Sequence, residues 1–463
     1  MVSNDASKFS VDGTVYSARR NIRPLSTPAA EAYIPIVGIE TITKLREVSK
    51  QLRGLKFLSI NASAEGGGVA ELLHSAVPFM DMLGIETEWK IIPRDQEFFE
   101  CTKSLHNILQ GKNVPFTQEM EQCYISYIQE TTKGDIIDYN PELVLVHDPQ
   151  PLGLAEYLKK PGQKWLWRCH IDIEDMPLQN TPGLWDFLTN RIEYYDAAIF
   201  SAVHYTVSRW HVPSFVIPPF IDPLSEKNRE LSEGEINETL AKYHINPEIP
   251  LIVQIGRFDP WKGIDRSIAT YREVRKHREC QLIIAGGHAV DDPEGEVVLT
   301  DIRRKTEDDE NIHVLNLSLS NRLENWREVN ALQRAASVIM QPSTREGFGL
   351  TVTEALWKGK PVIAANAGAI PLQIRDGSTG YFYQTSYEAA QTVLNLLENP
   401  YIAEEVGGKA REYVREHFLL PVRMIDWLRA MSMVMNGQVN REIFSQSIIC
   451  FHPWFKLAKR KLI

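Results

Sequence analysis

Residues 338–363 read VIMQPSTREGFGLTVTEALWKGKPVI. Apolar, β-branched runs at 337–341 and 361–364 flank a stretch with helical periodicity, so the reading is strand, turn, helix, strand. Gly347 and Gly349 sit in the turn, and the helix begins near Leu350. Glu346 falls in the loop after the strand. Glu354 lies about a turn and a half into the helix, with seven residues between the two glutamates. In an open α/β sheet, ligands bind beyond the carboxyl ends of strands, where a helix N-terminus favours anions. Two carboxylates at such an end repel a phosphate. They suit hydroxyl groups, for which they are acceptors, and leave backbone amides and basic side chains to hold the phosphate.

Outward from this stretch, the chain repeats the same alternation. Strands are expected at 55–60, 88–92, 143–146, 164–169, 197–201 and 214–217, with helical patterns between them. The polar, proline-containing run 220–235 (FIDPLSEKNRELSEGE) reads as a linker. A second series follows at 251–255, 281–285, 313–317, 337–341, 361–364 and 380–383. A helical stretch at 38–51 precedes the first strand, and residues 403–435 are helical again. Parallel sheets in two α/β domains follow from this order.

The 463 residues carry a net charge of −10 and are 43% hydrophobic, as an ordinary folded protein of two or three domains is. An acidic balance argues against nucleic acid as a partner. No run approaches a membrane-spanning length and the first residues lack an apolar leader, so neither membrane insertion nor secretion is expected. Five scattered cysteines without a C-x-x-C pair fit reduced thiols of a cytoplasm rather than a disulfide framework or a zinc site.

Three further clusters carry chemistry. Gly66, Gly67 and Gly68 stand between the strand at 55–60 and a helix, either as a loop that brings amides to a phosphate or sugar or as a tight βα turn. GRFDPWKG (256–263) leaves the first strand of the second domain. There Arg257 supplies fork-shaped hydrogen bonds and Lys262 a mobile point charge, as a diphosphate requires. HDPQPLG (147–153) and RCHIDIEDMP (168–177) end two strands of the first domain and present His147, Asp148, His170, Asp172 and Glu174. These five would bind acceptor hydroxyls, or would cap strands and satisfy one another. His288, after the glycine pair of IIAGGH, is either a cleft or a surface residue.

Glu346-x7-Glu354 with Gly-Phe-Gly between, together with the Arg257/Lys262 loop, resembles the E-x7-E signature of retaining nucleotide-sugar glycosyltransferases, the relatives of glycogen and sucrose synthases. The resemblance covers roughly residues 55–435. It implies the GT-B fold, α/β with two Rossmann-like domains facing across a cleft. On that pattern residues 1–225 form an acceptor-side domain, completed by C-terminal helices at about 420–440, and residues 226–419 bind the nucleotide-sugar. The basic and apolar tail 438–463 is expected to be loosely docked or disordered.

The resemblance also assigns roles. Arg257 and Lys262 would hold the donor pyrophosphate, Glu346 the donor sugar and Glu354 the ribose. Gly67, Gly68, Gly347, Phe348, Gly349 and Leu350 complete the donor-binding set. His170, Arg257, Lys262 and Glu346 form the catalytic set. Residues 364–374 (AANAGAIPLQI) depart mildly from the family, which has Gly-Gly where this chain has Ala367-Gly368-Ala369. RCHIDIEDMP (168–177), HDPQPLG (147–153) and GRFDPWKG (256–263) together are most similar to the trehalose-forming members. That similarity implies transfer of glucose from UDP- or ADP-glucose to free glucose, with retention and front-face displacement. The alternatives are a trehalose phosphorylase, another glucosyltransferase of the glycogen- or sucrose-synthase type, and a silent sugar-nucleotide sensor. A sensor should lack Arg257, Lys262 or Glu346, and all three are present. The expected partners are small sugars and a second copy in a homodimer, with no metal ligands and no required cofactor, Mg2+ stimulation being left open.

Overall fold

A computed structural model describes residues 9–11, 14–16, 28–134, 136–173, 182–287, 293–318, 321–439 and 447–452. Glu174, His288 and most of the tail lie outside these residues. The described strands are β1 (Phe9–Val11), β2 (Thr14–Tyr16), β3 (Lys56–Asn61), β4 (Glu86–Ile91), β5 (Leu143–His147), β6 (Lys164–Cys169), β7 (Ala197–Phe200) and β8 (Ser214–Val216). They continue with β9 (Leu251–Ile255), β10 (Gln281–Gly286), β11 (Ile312–Asn316), β12 (Val338–Gln341), β13 (Val362–Ala365), β14 (Tyr381–Tyr383) and β15 (Ile448–Cys450). Strands β1 and β2 form a short antiparallel hairpin.

The chain makes two compact units. One comprises Met1–Ala32, Ile39–Pro218 and Met424–Ile463, the other Tyr33–Gly38 and Pro219–Arg423. The division falls at 218/219 and 423/424 rather than at 225/226 and 419/420. The first unit holds a sheet ordered β15-β8-β7-β6-β5-β3-β4, the second one ordered β11-β10-β9-β12-β13-β14. Neighbouring strands in both sheets run parallel. The strands read as continuous apolar runs because both faces are covered: all five residues of β5 and all five of β9 are buried. The core of the second unit packs Ile252, Leu282, Ile284, Val338 and Ile363 against helix residues such as Ile268 and Val393.

Order decides where ligands can sit. In the second sheet β9 is flanked by β10 on one side and β12 on the other, so the chain reverses direction of travel between β9 and β12. In the first, the reversal lies between β3 and β5. The carboxyl ends of those strand pairs are the crevices where open α/β sheets bind ligands.

Three details depart from the sequence reading. The helical stretch expected from 38 is preceded by a further short piece that begins at Ile34, and Gly38 (φ 80°) separates the two. The run taken as a linker is folded onto the second unit. Within the tail, Ile448–Cys450 is an ordered edge strand, with Ile448 paired to Ser214 and Cys450 to Val216. Its apolar Ile-Ile-Cys run carries no helical period, and pairing with β8 satisfies backbone groups that a loose segment would leave to water. Among the described residues no helix is long and apolar enough to cross a membrane.

Candidate active site

In the second unit, the two loops at the switch point come from β9 and β12. After β9 the backbone makes a single 3-10 turn, Pro260–Lys262, capped by Asp259, whose Oδ1 accepts from the Trp261 amide at 2.9 Å. The same Asp259 holds Arg257 through Nη2 and Oδ2 at 3.2 Å. Gly263 then turns left-handed (φ 61°) and opens the helix Ile264–Arg275. A Cβ there would stand 2.3 Å from the Pro342 carbonyl oxygen, so the β9 and β12 loops meet at a contact only glycine allows. The Thr344 amide donates to the Trp261 carbonyl at 2.8 Å and ties the loops again.

That contact brings Lys262 to Glu346. Nζ lies 2.6 Å from Oε2, and the same oxygen accepts from Gln341 Nε2 and Ser343 Oγ, both at 3.2 Å. Three donors on one oxygen of a largely buried carboxylate hold it in place. Gly349 (φ 86°) turns the chain into the helix Leu350–Trp357, and a Cβ there would stand 3.1 Å from Glu346 Cγ. Phe348 is buried against Phe418, and its carbonyl accepts from Gln373. Gly347 and Leu350 are half-buried beside it. Glu354, further along the helix, is 2% exposed and ion-paired with Lys227 at 3.1 Å. The sequence-derived donor residues of this unit thus gather at one strand end, with Glu354 already engaged by a lysine that the sequence reading did not single out.

In the first unit, β3 and β5 carry the corresponding pair of loops. Gly66 is left-handed (φ 81°), and Gly67 and Gly68 start the helix Gly68–Met82, which no side chain caps. First-turn amides at such a start suit an anion or a hydroxyl. At the end of β5, His147 is 0% exposed. Its Nε2 meets Ser59 Oγ at 2.8 Å and its Nδ1 meets His170 Nε2 at 2.9 Å. Expected among the acceptor-binding residues, His147 has both ring nitrogens taken up, by Ser59 and His170. Asp172 is also buried, at 2% exposure.

Asp148 adopts a left-handed backbone (φ 64°), a conformation costing about 1–3 kcal/mol for a residue with a side chain. Three of its polar groups are taken up. The amide donates to the Arg168 carbonyl at 2.8 Å, the carbonyl accepts from Trp167 Nε1 at 2.9 Å, and Oδ1 accepts from the His170 amide at 2.7 Å. Arg168, fully buried, donates to the Ile217 carbonyl at 3.0 Å and lies 4.7 Å from the Trp427 ring. Burial, and then the Arg168 charge, hold the His147 imidazole well below its ordinary pKa; the same causes and the His147 ring lower His170. Burial pushes the Asp148 carboxyl up to about 7, against the pull of the His170 amide and Arg168.

These opposite shifts make a prediction. With its folded pKa below the unfolded 6.5, His147 contributes stability that is present above that pH and lost as pH falls. Asp148, raised from 3.8 to about 7, contributes stability that is present at low pH and lost as pH rises toward 7. Each slope is about 1.4 kcal/mol per pH unit for one proton. Asp148→Asn removes the opposing slope, so its urea midpoint should fall more steeply from pH 7 to pH 5 than that of the unmodified protein. Parallel curves would mean that Asp148 is ionised in the native state over this range.

Gln341, Ser343, Asp259, Ser59 and Arg168 support the site yet were not singled out from the sequence. Most share one signal: a polar residue inside or ending an otherwise apolar strand, as Ser59 in KFLSIN, Arg168 in KWLWRC and Gln341 in VIMQ. A polar group placed there must find a partner.

Comparison with known proteins bears on this geometry. Residues 59–207 match the family described as trehalose synthase, N-terminal domain, and residues 235–414 the group 1 glycosyl transferases. The trehalose synthase of Pyrococcus horikoshii is 44% identical over 402 residues, covering 86% of this chain and 94% of its own. That of Rubrobacter xylanophilus is 38% identical over 403 residues, covering 86% and 95%. Among solved structures, an α,α-trehalose-phosphate synthase (UDP-forming) from Burkholderia xenovorans in complex with glucose-6-phosphate matches with a TM-score of 0.67. It is 12% identical, covering 82% of this chain and 100% of the other, a likeness of fold alone.

Proposed function

Because the chain belongs to the trehalose synthase family of glycosyltransferases and has the GT-B fold, we propose that it transfers glucose from a nucleotide-activated glucose to free glucose, forming the α,α-1,1-linked disaccharide with retention. One observation carries the donor half of this reading. At the switch point of the second sheet, Lys262 stands 2.6 Å from Glu346 with Arg257 on the same loop. A mobile cation, a guanidinium and a fixed carboxylate are what a sugar diphosphate presents work for: anionic oxygens for the first two, hydroxyls for the third.

In this mechanism the bond between the anomeric carbon and the diphosphate oxygen breaks, and charge develops on that oxygen. Arg257 and Lys262 stabilise it. The acceptor hydroxyl attacks from the same face and gives its proton to the departing oxygen. Glu346 orients the donor sugar and Glu354 takes the ribose, while backbone groups of Gly347–Leu350 and Gly67–Gly68 line the donor. His170, held by His147, and Asp148, Asp172 and Glu174 serve the acceptor. The basic pair supplies the neutralisation that a metal ion provides in other transferases. We place the reaction in a reducing cytoplasm and in a homodimer; that the described cysteines are all free thiols supports the first.

Incubation with UDP- or ADP-glucose and free glucose is expected to yield trehalose, its two α anomeric protons read by NMR. Parallel reactions contain glucose-6-phosphate, a glucan primer, or trehalose with inorganic phosphate. Glucan extension without disaccharide, trehalose-phosphate formed in preference, or phosphorolysis as the sole activity would each overturn the acceptor or donor assignment.

A further inference from the structure

The segment between the last crossover of the first unit and the helix Glu233–Lys242 reads as a spacer in sequence, but the structure grips it like a ligand. Its start is fixed by Asp222, whose Oδ1 accepts from the Leu224 amide at 2.9 Å and from Tyr33 Oη at 3.0 Å. Asn228 Nδ2 closes the turn on the Asp222 carbonyl at 3.1 Å. Beyond it, the carbonyls are taken one after another. Asn330 Nδ2 donates to those of Glu226 and Arg229 at 3.0 and 2.9 Å. Arg334 Nη2 donates to those of Asn228 and Arg229 at 3.3 and 2.8 Å. Trp357 Nε1 reaches the Asn228 carbonyl at 3.3 Å, and Lys358 Nζ reaches Asn228 Oδ1 at 3.0 Å. A spacer needs none of this, since ordering each residue costs about 1–2 kcal/mol.

What the ordering achieves is the placement of Lys227. Its ammonium lies 3.1 Å from Glu354 Oε1, with side-chain exposures of 8% and 2%. A carboxylate this buried stays ionised only beside a cation. The neighbouring Lys358, although the Glu354 charge pulls its ammonium up, is the weaker cation. Its Nζ is directed to Asn228 Oδ1, Gln333 Oε1 and the Glu354 carbonyl, and burial pushes its ammonium down to about 7.

We propose that Lys227 is a positioning residue for the donor nucleotide: it keeps Glu354 anionic and sets its carboxylate, so that the segment 222–230 is part of ribose recognition. This rests on the reading that Glu354 takes the ribose. Ribose hydroxyls donate, and an ionised carboxylate is acceptor-only, so the pairing needs the charge that Lys227 maintains. Lys227 itself touches no substrate in this account. It acts through Glu354, and its loss is felt wherever a ribose hydroxyl is present.

Dissociation constants of UDP and 2′-deoxy-UDP, and of ADP and 2′-deoxy-ADP, measured by calorimetry on the full chain, test this. The unmodified protein is expected to prefer the ribo form of the nucleotide it binds by about tenfold, the worth of one hydroxyl–carboxylate bond. Lys227→Met and Glu354→Gln should each bring that ratio close to one, and the double variant should lower it no further. A merely structural role would weaken ribo and deoxy forms equally and leave the ratio unchanged. If Glu354→Gln collapses the ratio and Lys227→Met does not, the proposal fails while the ribose reading stands. If Glu354→Gln leaves the ratio intact, the ribose reading fails and takes the proposal with it. Should Lys227→Met not fold, Lys227→Gln removes the charge and keeps a polar side chain, and an unaltered ratio in that variant would overturn the proposal.

Discussion

Lys262→Ala is expected to lower kcat about 100-fold, the effect of removing one preorganised group from developing charge. The competing account is structural. Lys262 is one of three donors on Glu346 Oε2, so its loss also leaves a largely buried carboxylate under-satisfied, at about 1–3 kcal/mol of stability. The two accounts separate in a double variant. Lys262→Met with Glu346→Gln removes both charges, and an amide still accepts from Gln341 and Ser343. Stability measured by urea titration should return toward that of the unmodified protein, while turnover should stay low. Recovery of turnover together with stability would show that Lys262 serves only to hold Glu346. Arg257→Ala should lower turnover at least tenfold with a smaller change in stability, because its guanidinium is more exposed than Lys262 and Asp259 keeps its cap on Trp261. Near-normal turnover in both single variants would remove the pair from the site.

Gly263→Ala should cost about 3 kcal/mol and abolish most activity. A left-handed conformation costs a residue with a Cβ about 1–2 kcal/mol, and here the Cβ would also lie 2.3 Å from the Pro342 carbonyl oxygen. Relief requires the β9 and β12 loops to part, and parting them separates Lys262 from Glu346. The thermal midpoint and kcat should therefore fall together. Gly67→Ala is the contrasting case: its φ is −157° and nothing lies within 4 Å of the new Cβ. It should leave the midpoint unchanged, so any loss of activity there reports contact with substrate. A Gly263→Ala protein with an unaltered midpoint would mean that the two loops are not locked as described.

The sequence alone settled what depends on local order. Alternating apolar runs and helical periods were enough to recover the sheets as parallel, and the helix at Leu350–Trp357 lay where the periodicity of LTVTEALW put it. GRFDPWKG and Glu346-x7-Glu354 stood out as candidates for chemistry because they set glycines, cations and carboxylates at strand ends. The tertiary structure decided everything that rests on strand order and on partners distant in the chain. Lys262 and Glu346, 84 residues apart, meet because β12 crosses back to pair with β9. His147 looked like a sugar ligand, yet β3 places Ser59 on one ring nitrogen and β6 leads His170 to the other, so both nitrogens are taken up inside the first unit. The polar run after Phe220 looked like a linker because its composition is polar. Its carbonyls are bound by Asn330, Arg334 and Trp357, more than a hundred residues on, and no local pattern encodes a hydrogen bond across that distance. Periodicity reports which face of an element is buried; it is silent on which element covers it.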